Sequence, residues 1–358
     1  MKKMKKMKFK ILLLAVLIGG FSVLQNCSSD DDPAPVVINK TALQGVITTV
    51  KSLLSTTTEG TAVGSYTVGS QAILQTAIDS AQAIADSTTS TQAQVDAAVV
   101  SLNSAITIYN AAVIAEIAPE NLVGHWKFDD GSGTTVADAS GNNFTGTFGA
   151  ETMLDASAEN PVWTADRFGT ANKALLFDKG AKVTVPYSGA INPGEISISV
   201  WIRIDEQRNN RFMGLHSWHG YKFEVENGNK PFMTVNNGAE FINKDITGAS
   251  TPLVLNDWYH LVVTFGNDEM SFYINGVHII THTDVSGAVT TTSGHDLVFG
   301  VDSSQYAATD VNYNAGTDFT IPGAWGSYLH GALDEVRIYN TVLTASQVTA
   351  LNDAEKQP

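Results

Sequence analysis

The first regular pattern of apolar and polar positions lies between residues 40 and 117, where apolar side chains recur three or four residues apart. This spacing places side chains on one face of a helix and predicts three helices. Ser70 and Thr91 immediately precede the second and third runs and are predicted N-caps. The apolar positions are Leu43, Val46, Ile47, Val50, Leu54, Ile73, Ala77, Ile78, Ala81, Ile84, Ala85, Val95, Val99, Leu102, Ile106 and Tyr109.

The pattern changes after Pro119, where glycine, aromatic residues and alternating β-branched residues dominate as far as Tyr339. Roughly a dozen short strand-like stretches occur here, separated by Gly, Asn and Asp turn signals. Many short strands with frequent turns predict a β-sandwich. The dipeptide Asn275-Gly276 between two such stretches predicts a two-residue hairpin, because both central positions of a type I′ turn need a positive φ.

A third pattern lies at the N-terminus, where a lysine-rich stretch (2–10) and an apolar run (11–24) precede Cys27, the single cysteine. The apolar run is shorter than the roughly 18 residues of a membrane-spanning helix and has the shape of a secretory signal. With one cysteine there is no disulfide framework. Residues 28–38 are acidic and contain proline, as expected of an extended tether.

Charge narrows the possible partners. The chain has 21 basic and 36 acidic residues, a net charge of −15, and cleavage before Cys27 would remove six lysines and leave −21. Such a charge repels nucleic acid and anionic membrane surfaces, so we expect no nucleic-acid partner. Neutral or cationic ligands and metal ions are easier to accommodate.

The N-terminal segment resembles a bacterial lipoprotein signal, with Leu24 three residues before Cys27. The resemblance implies that Cys27 carries a thioether-linked diacylglycerol. Ser28-Ser29-Asp30-Asp31-Asp32 is similar to the export tag of Bacteroidota-type lipoproteins, which implies the outer membrane with the protein facing the exterior. Gln25 and Asn26 depart from the small residues usual there. The alternatives are a secreted protein with an unmodified thiol and an uncleaved anchor helix.

The helical segment resembles FIVAR-type three-helix modules, on the stretches around 63–66, 74–82, 91–98 and 102–106. Such modules accompany surface proteins and carbohydrate-active enzymes, and the resemblance implies little chemistry. We expect a spacer with an apolar core, with a ligand-binding face as the alternative.

The β segment resembles the laminin-G-like (concanavalin-A-like) jelly roll. The resemblance spans about 122–351, and its carrying stretches are 122–133, 136–143, 174–178, 196–202, 258–265, 333–340 and 343–348. The expected fold class is therefore mainly β, a jelly roll preceded by a small three-helix bundle. We expect core positions for Trp126, Phe128, Trp201 and Phe265, and a structural role for His260.

The resemblance implies that the first and last strands are neighbours, and a calcium site is predicted where they meet. Carboxylate and amide oxygens suit Ca²⁺, and relatives of this type often hold one there. The predicted ligands, some through backbone carbonyls, are Asp129, Asp138, Asn143 and Asp334. The alternative is an acidic turn plus a structural salt bridge.

Carbohydrate binding needs an aromatic face for the sugar ring and polar groups around its edge. Two regions offer them, 208–221 and the long stretch 302–330. A long loop rich in Asn, Tyr and Trp is a frequent carrier of function. The candidate residues are Arg211, Trp218, Asn312, Tyr313, Trp325 and Tyr328.

Enzyme motifs are missing from the sequence. It has no Glu-x-Asp-x-x-Glu strand, no Gln-x-His element, no Gly-x-Ser-x-Gly elbow and no phosphate loop. Glu224 and Glu226 alternate on one predicted strand but form only a pair. Catalysis is therefore not the favoured prediction, and an unrecognised lyase or hydrolase stays an alternative.

Four segments result: a signal peptide (1–26), an acidic tether (27–38), a FIVAR-like bundle (39–118) and a jelly roll (120–352). The favoured hypothesis is a lipid-anchored surface protein that binds polysaccharide, in contact with outer-membrane uptake proteins. An adhesion protein that binds another protein is the second hypothesis.

Overall fold

The computed structural model describes residues 37–152, 154–216, 220–249, 252–290, 294–302 and 328–356. Residues Lys40–Pro358 form one compact unit, separate from Met1–Asn39. The predicted signal peptide and Cys27 lie outside the described residues, as does most of the predicted tether. Within the described ranges, no helix combines the length and the apolar character needed to cross a membrane.

Three helices follow one another as the periodicity predicts: α1 (Thr41–Thr56), α2 (Ser70–Asp86) and α3 (Gln92–Ala111). Leu43, Leu74, Ile78, Val95 and Leu102 are almost completely buried and form the shared apolar core.

The two predicted N-caps have different outcomes. Thr91 is confirmed, because its side chain accepts a hydrogen bond from the Gln94 amide and closes a capping box. The prediction for Ser70 is wrong, because Ser70 is the first residue of α2 and Gly69 occupies the cap position. The Glu59 carboxylate serves this helix end by accepting from the Gln71 amide at 2.6 Å. That hydrogen bond lowers the pKa of Glu59 below its ordinary value.

Two antiparallel sheets follow the helices. In the first sheet the strands run in the order β14-β13-β12-β7-β16-β5-β4, and β1 also pairs with β16; in the second the order is β11-β10-β9-β8-β15-β6-β3-β2. The bounds in chain order are β1 Leu122–Trp126, β2 Thr135–Val136, β3 Gly146–Ala150, β4 Val162–Thr164, β5 Ala174–Phe177, β6 Ala181–Val185, β7 Ile196–Ile204, β8 Asn210–Leu215, β9 Tyr221–Glu226, β10 Lys230–Asn236, β11 Phe241–Asp245, β12 Trp258–Gly266, β13 Glu269–Ile274, β14 Val277–His282, β15 Leu297–Phe299 and β16 Gly331–Tyr339.

The main core lies between the facing sides of the two sheets, as strand alternation requires. Trp126, Phe128 and Phe265 are fully buried in it, which confirms their predicted positions. Trp201 is buried as well, but it lies on the opposite side of the first sheet, outside this core.

A C-terminal helix, α4 (Ala345–Glu355), covers that opposite side. Its last residue inserts a carboxylate, which accepts a hydrogen bond from the Trp201 indole at 2.8 Å and pairs with Arg337. The Arg167 guanidinium donates to the Glu355 backbone carbonyl through Nε and Nη2, at 3.0 and 2.9 Å. Arg167 thereby satisfies a carbonyl that the helix end leaves open.

The predicted hairpin is confirmed. Asn275 and Gly276 join β13 to β14 with φ values of 51° and 76°, as a type I′ turn requires. The turn also supports α4, because the Thr349 hydroxyl donates to the Gly276 carbonyl at 2.8 Å.

Candidate functional site

The four predicted calcium ligands lie near the pairing of the first and last strands. That pairing is confirmed, since β1 and β16 are antiparallel neighbours with Trp126 opposite Val336. Asp138 forms a bridge with Trp126, and the Asp129 charge is close enough to raise the pKa of Asp334. The structure therefore gathers these segments at one end of the sandwich.

Asp138 is already saturated with hydrogen-bond donors. One carboxylate oxygen accepts from the His125 and Ser140 amides, both at 2.9 Å. The other accepts from the Ser140 hydroxyl at 2.7 Å and the Phe144 amide at 3.0 Å. Burial works to raise the pKa of Asp138, but these hydrogen bonds hold it below its ordinary value. Its carboxylate closes the 138–144 loop.

The other three predicted ligands face partners of their own. Asp334 is buried and paired with Arg167; burial raises its pKa to about 8, and Arg167 opposes that rise. Lys173 lies 3.6 Å from the Asp129 carboxylate and donates to the Asp129 carbonyl at 3.0 Å. The Asn143 amide donates back to Gly141 at 3.4 Å.

These contacts do not fit a calcium ion as the residues stand. An ion here would have to displace Arg167 and Lys173 and break the hydrogen bonds of Asp138. Within the part of the chain that the structure describes, no three His, Cys, Asp or Glu side chains are grouped to hold a metal. Calcium binding stays a prediction that this arrangement does not favour.

Four of the predicted sugar-binding residues lie outside the described residues: Trp218, Asn312, Tyr313 and Trp325. Tyr328 is described, and its hydroxyl donates to Asp155 at 3.3 Å. The Arg208 guanidinium lies 3.9 Å from the centroid of its ring. A cation–π contact therefore covers one face of the Tyr328 ring.

Arg211 is the sixth candidate, and it lies in a buried ionic cluster on the side of the second sheet that faces away from the core. Its Nε is 2.8 Å from a Glu224 carboxylate oxygen, and its Nη1 pairs with Asp302. Lys222 donates to the other Glu224 oxygen at 2.7 Å. Arg211 is only 5% exposed, and its contact with the Glu224 carboxylate holds that side chain in place.

Lys222 connects this cluster to the next strand. Its ammonium lies 5.1 Å from the centre of the Phe232 ring on β10. Burial lowers the pKa of Lys222 to about 8, and the Glu224 charge opposes the change. The cluster is therefore a rigid base, because each cation touches a carboxylate and Lys222 also touches a ring.

Beside this base, strands β9, β10 and β11 present more accessible side chains on the same side. Phe232 and Thr234 pair in register with Glu224 and Lys222 on β9, and with Asp245 and Asn243 on β11. The Thr234 hydroxyl donates to the Asn243 amide oxygen at 2.8 Å, which confirms that they share a side. We call this surface the β9–β11 face; its members are Lys222, Glu224, Glu226, Lys230, Phe232, Thr234, Phe241, Asn243 and Asp245.

The accessible part of the β9–β11 face combines an aromatic side chain with polar groups. Phe241 is 43% exposed, Asn243 is exposed, and Phe232 is half-buried. An apolar ring beside amide and carboxylate groups suits the C–H side and the hydroxyls of a sugar.

Two carboxyl groups at the end of the face have different protonation tendencies. Burial raises the pKa of Glu226, and the neighbouring Asp245 charge adds to the rise. Although burial acts in the same direction on Asp245, hydrogen bonds from the Thr247 hydroxyl and amide hold its pKa below the ordinary value. Glu226 is thus the better proton donor of the pair, and Asp245 is the better proton acceptor.

Sequence reasoning missed Phe241, Asn243 and Asp245 as site residues. Alternation over 241–245 places the three on one side of a strand, a signal present in the sequence. The position of Asp245 beside Glu226 depends on the pairing of three strands.

A serine–histidine contact on the first sheet is structural. The Ser199 hydroxyl and His260 Nε2 are 2.8 Å apart, and both residues are completely buried. Burial lowers the pKa of His260 to about 3, so the ring is neutral at pH 7. This agrees with the structural role predicted for His260.

Part of the chain is similar to known proteins. Residues 177–349 match the Laminin_G_3 family model, described as the concanavalin A-like lectin/glucanases superfamily. A surface-layer 125 kDa protein of Lysinibacillus sphaericus is 32% identical over 169 residues, which are 45% of this chain and 13% of that protein. The chain therefore spans far less than two thirds of this curated relative.

Two solved structures are similar at low identity. Domain 4 of AbnA, a GH43 extracellular arabinanase from Geobacillus stearothermophilus in complex with arabinotriose, has 21% identity and a TM-score of 0.47, covering 65% of this chain and 98% of that one. The binding domain of Paraclostridial Mosquitocidal Protein 1 has 17% identity and a TM-score of 0.46, covering 67% and 53%. The chain is a mainly β sandwich of two antiparallel sheets preceded by helices, and its residues 177–349 are similar to the concanavalin A-like lectin/glucanases superfamily.

Proposed function

We propose that this chain is a cell-surface lipoprotein that binds carbohydrate through the β9–β11 face and captures polysaccharide for a glycan-uptake system. One observation carries the binding role: an exposed Phe241 next to Asn243 on β11, on a face whose other end holds Glu226 and Asp245 and whose β9 side is a rigid ionic base. This combination supplies the aromatic and polar contacts that a sugar needs.

The surface location rests on the sequence. A basic stretch, a short apolar run and Cys27 followed by acidic residues support export and lipid attachment, with the outer membrane as the site. A lipid-anchored capture protein would act beside outer-membrane uptake proteins. The tether and the helices would hold the binding face away from the lipid.

Substitution of Phe241 tests the binding role. Phe241→Ala removes the ring and is expected to weaken glycan binding at least about tenfold, or about 1.4 kcal/mol. Phe168→Ala is the matched control, because Phe168 is 37% exposed and packs against Arg167, away from the β9–β11 face. Affinity electrophoresis of the full chain in gels that contain arabinan, xylan or β-glucan measures both variants.

Three results would redirect the proposal. Equal binding by wild type and Phe241→Ala would move the site elsewhere, and Trp218→Ala and Trp325→Ala would then be the next variants to measure. New reducing ends or unsaturated products would show an enzyme instead. If the chain binds none of the glycans, the adhesion hypothesis would remain.

That second hypothesis, a protein-binding adhesion role, is favoured by one observation. A mostly apolar groove of about 210 Å³ opens between α2 and α3, and Ile73 and Ile108 at its edge are 67% and 65% exposed. Exposed apolar surface of this kind is typical of protein contacts. Capture of an outer-membrane partner by wild type and its loss in Ile108→Asp would support this role.

A further inference from the structure

The charges on the β9–β11 face and its ionic base are balanced in pairs. Glu224 lies between Arg211 and Lys222, at 2.8 and 2.7 Å, and Asp302 adds a second carboxylate to Arg211. Both cations are almost completely buried. Their charge is therefore committed to carboxylates of this chain.

The third cation, Lys230, lies among acidic groups. Lys230 on β10 pairs in register with Glu226 on β9, and its charge offsets part of the rise that burial causes in the pKa of Glu226. The ammonium also donates to the Thr247 hydroxyl at 3.2 Å. Among the described residues of this surface and its base, three cations accompany four carboxylates, so these residues carry no excess of positive charge.

Two other lysines of the second sheet are also paired with carboxylates. Elsewhere on the second sheet Lys182 pairs with Glu151 at 2.9 Å, and Lys244 on β11 pairs with Asp284 at 2.7 Å. The sequence stretches 217–219, 250–251, 291–293 and 303–327 contain neither lysine nor arginine. The net charge of the whole chain is −15.

An anionic polysaccharide would meet a cost at this surface. Each uronate or sulfate that leaves water needs a cation with charge to spare, and an unpaired carboxylate repels it. A neutral sugar needs only hydrogen-bond partners and a ring to stack on, which the exposed Asn243 and Phe241 supply. We propose that the ligand of the β9–β11 face is a neutral polysaccharide, and that the acidic pair Glu226 and Asp245 excludes uronate polymers; this rests on the proposed glycan-binding function.

The first test compares neutral and acidic glycans at two salt concentrations. Full-length protein is titrated with arabinan, xylan, polygalacturonate and alginate in about 0.01 M and about 1 M NaCl, where the Debye length is about 30 Å and about 3 Å. We expect a neutral glycan to bind with a Kd that changes less than about twofold, and no binding of the uronate polymers at low salt.

The possible failures are distinct. Binding of polygalacturonate or alginate at low salt that disappears at high salt overturns the neutral-ligand inference and leaves the glycan-binding function standing. Binding of no glycan at either salt concentration overturns the proposed function, and the inference falls with it.

A charge-neutralising variant tests the exclusion itself. The double substitution Glu226→Gln with Asp245→Asn should make polygalacturonate binding measurable, because the affinity should rise about fivefold for each negative charge removed. The control is Asp79→Asn with Asp96→Asn, which makes the same change of charge on α2 and α3. An equal gain in both variants would show an effect of net charge alone and would contradict exclusion by this pair.

Discussion

At the scale of single residues, hydrogen-bond saturation decides what a carboxylate can do. Asp138 was a predicted metal ligand because loop carboxylates suit calcium, yet both its oxygens serve the loop. The sequence shows that the side chain is acidic and lies in a turn. It does not show that three backbone amides point at it, because that depends on how the loop closes.

Calcium is accordingly expected to leave the stability unchanged. We predict the same Tm, within about 1 °C, in 1 mM CaCl₂ and in excess EGTA, since an ion would have to displace Arg167 from Asp334. Differential scanning calorimetry measures both conditions, with MgCl₂ as the control. A Tm that rises with calcium alone would restore the predicted site.

The buried His260 gives a pH dependence with a definite sign. Its pKa is about 3 in the folded chain and near 6.5 when unfolded, so between these values only the unfolded chain binds the proton. Burial of the neutral His260 ring therefore does not oppose folding above about pH 6.5. As the pH falls below this value, the free energy of unfolding decreases by about 1.4 kcal/mol per pH unit.

His260→Gln removes that titration. We therefore expect the stability difference between wild type and variant to shrink as the pH falls from 7 towards 4, as measured by urea unfolding. Groups common to both chains cancel in this comparison. Parallel pH profiles would contradict the burial of a neutral ring.

At the scale of elements, the sequence predicted local features well, whereas among distant segments it predicted the pairing of β1 with β16, through the resemblance, but not the registers of β9, β10 and β11. Thr91 and the Asn275-Gly276 turn act within a few residues, so the sequence was enough. Ser70 failed because the helix end is served by Glu59, eleven residues earlier. The β9–β11 face was missed because strand registers determine which side chains meet.

The contact between the hairpin and α4 can be tested with two glycines of nearly equal φ. Gly276 and Gly248 have φ values of 76° and 78°, but only at Gly276 would a Cβ meet a neighbour, the Asn352 side chain at 2.9 Å. Both Ala variants should lose about 1–2 kcal/mol from strain.

Gly276→Ala should lose about 1–3 kcal/mol more stability than Gly248→Ala, because the added methyl would crowd the Asn352 side chain of α4. Urea unfolding of the two variants side by side measures the difference. Equal losses would mean that α4 shifts freely and does not rest on the turn.

At the scale of the whole molecule, the sequence predicted the order of helices and strands and the sandwich architecture. The predicted burial of Trp201 is confirmed, but alternation marks a residue as buried without saying what covers it. Here α4 forms an additional layer over the first sheet. Alternation along a strand cannot reveal a helix that packs on the outer side.

The location of the whole molecule should depend on Cys27. Cys27→Ser is expected to move the protein from the membrane fraction to the soluble fraction, because two acyl chains hold a protein on a bilayer and none would remain. Immunoblots of fractionated cells measure this, with Ser28→Ala as the neighbouring control. A membrane-bound Cys27→Ser protein would favour an uncleaved anchor helix.

The burial of Glu355 has a consequence for how firmly α4 is attached to the first sheet. Its carboxylate pairs with Arg337, which also pairs with Glu335 at 2.7 Å, and accepts a hydrogen bond from the Trp201 indole. Detachment of α4 would therefore leave Trp201 without its acceptor and Arg337 with Glu335 as its remaining described counter-charge. The last residue of α4 thus opposes opening of the helix with a buried ionic contact, in addition to the apolar packing of Val348.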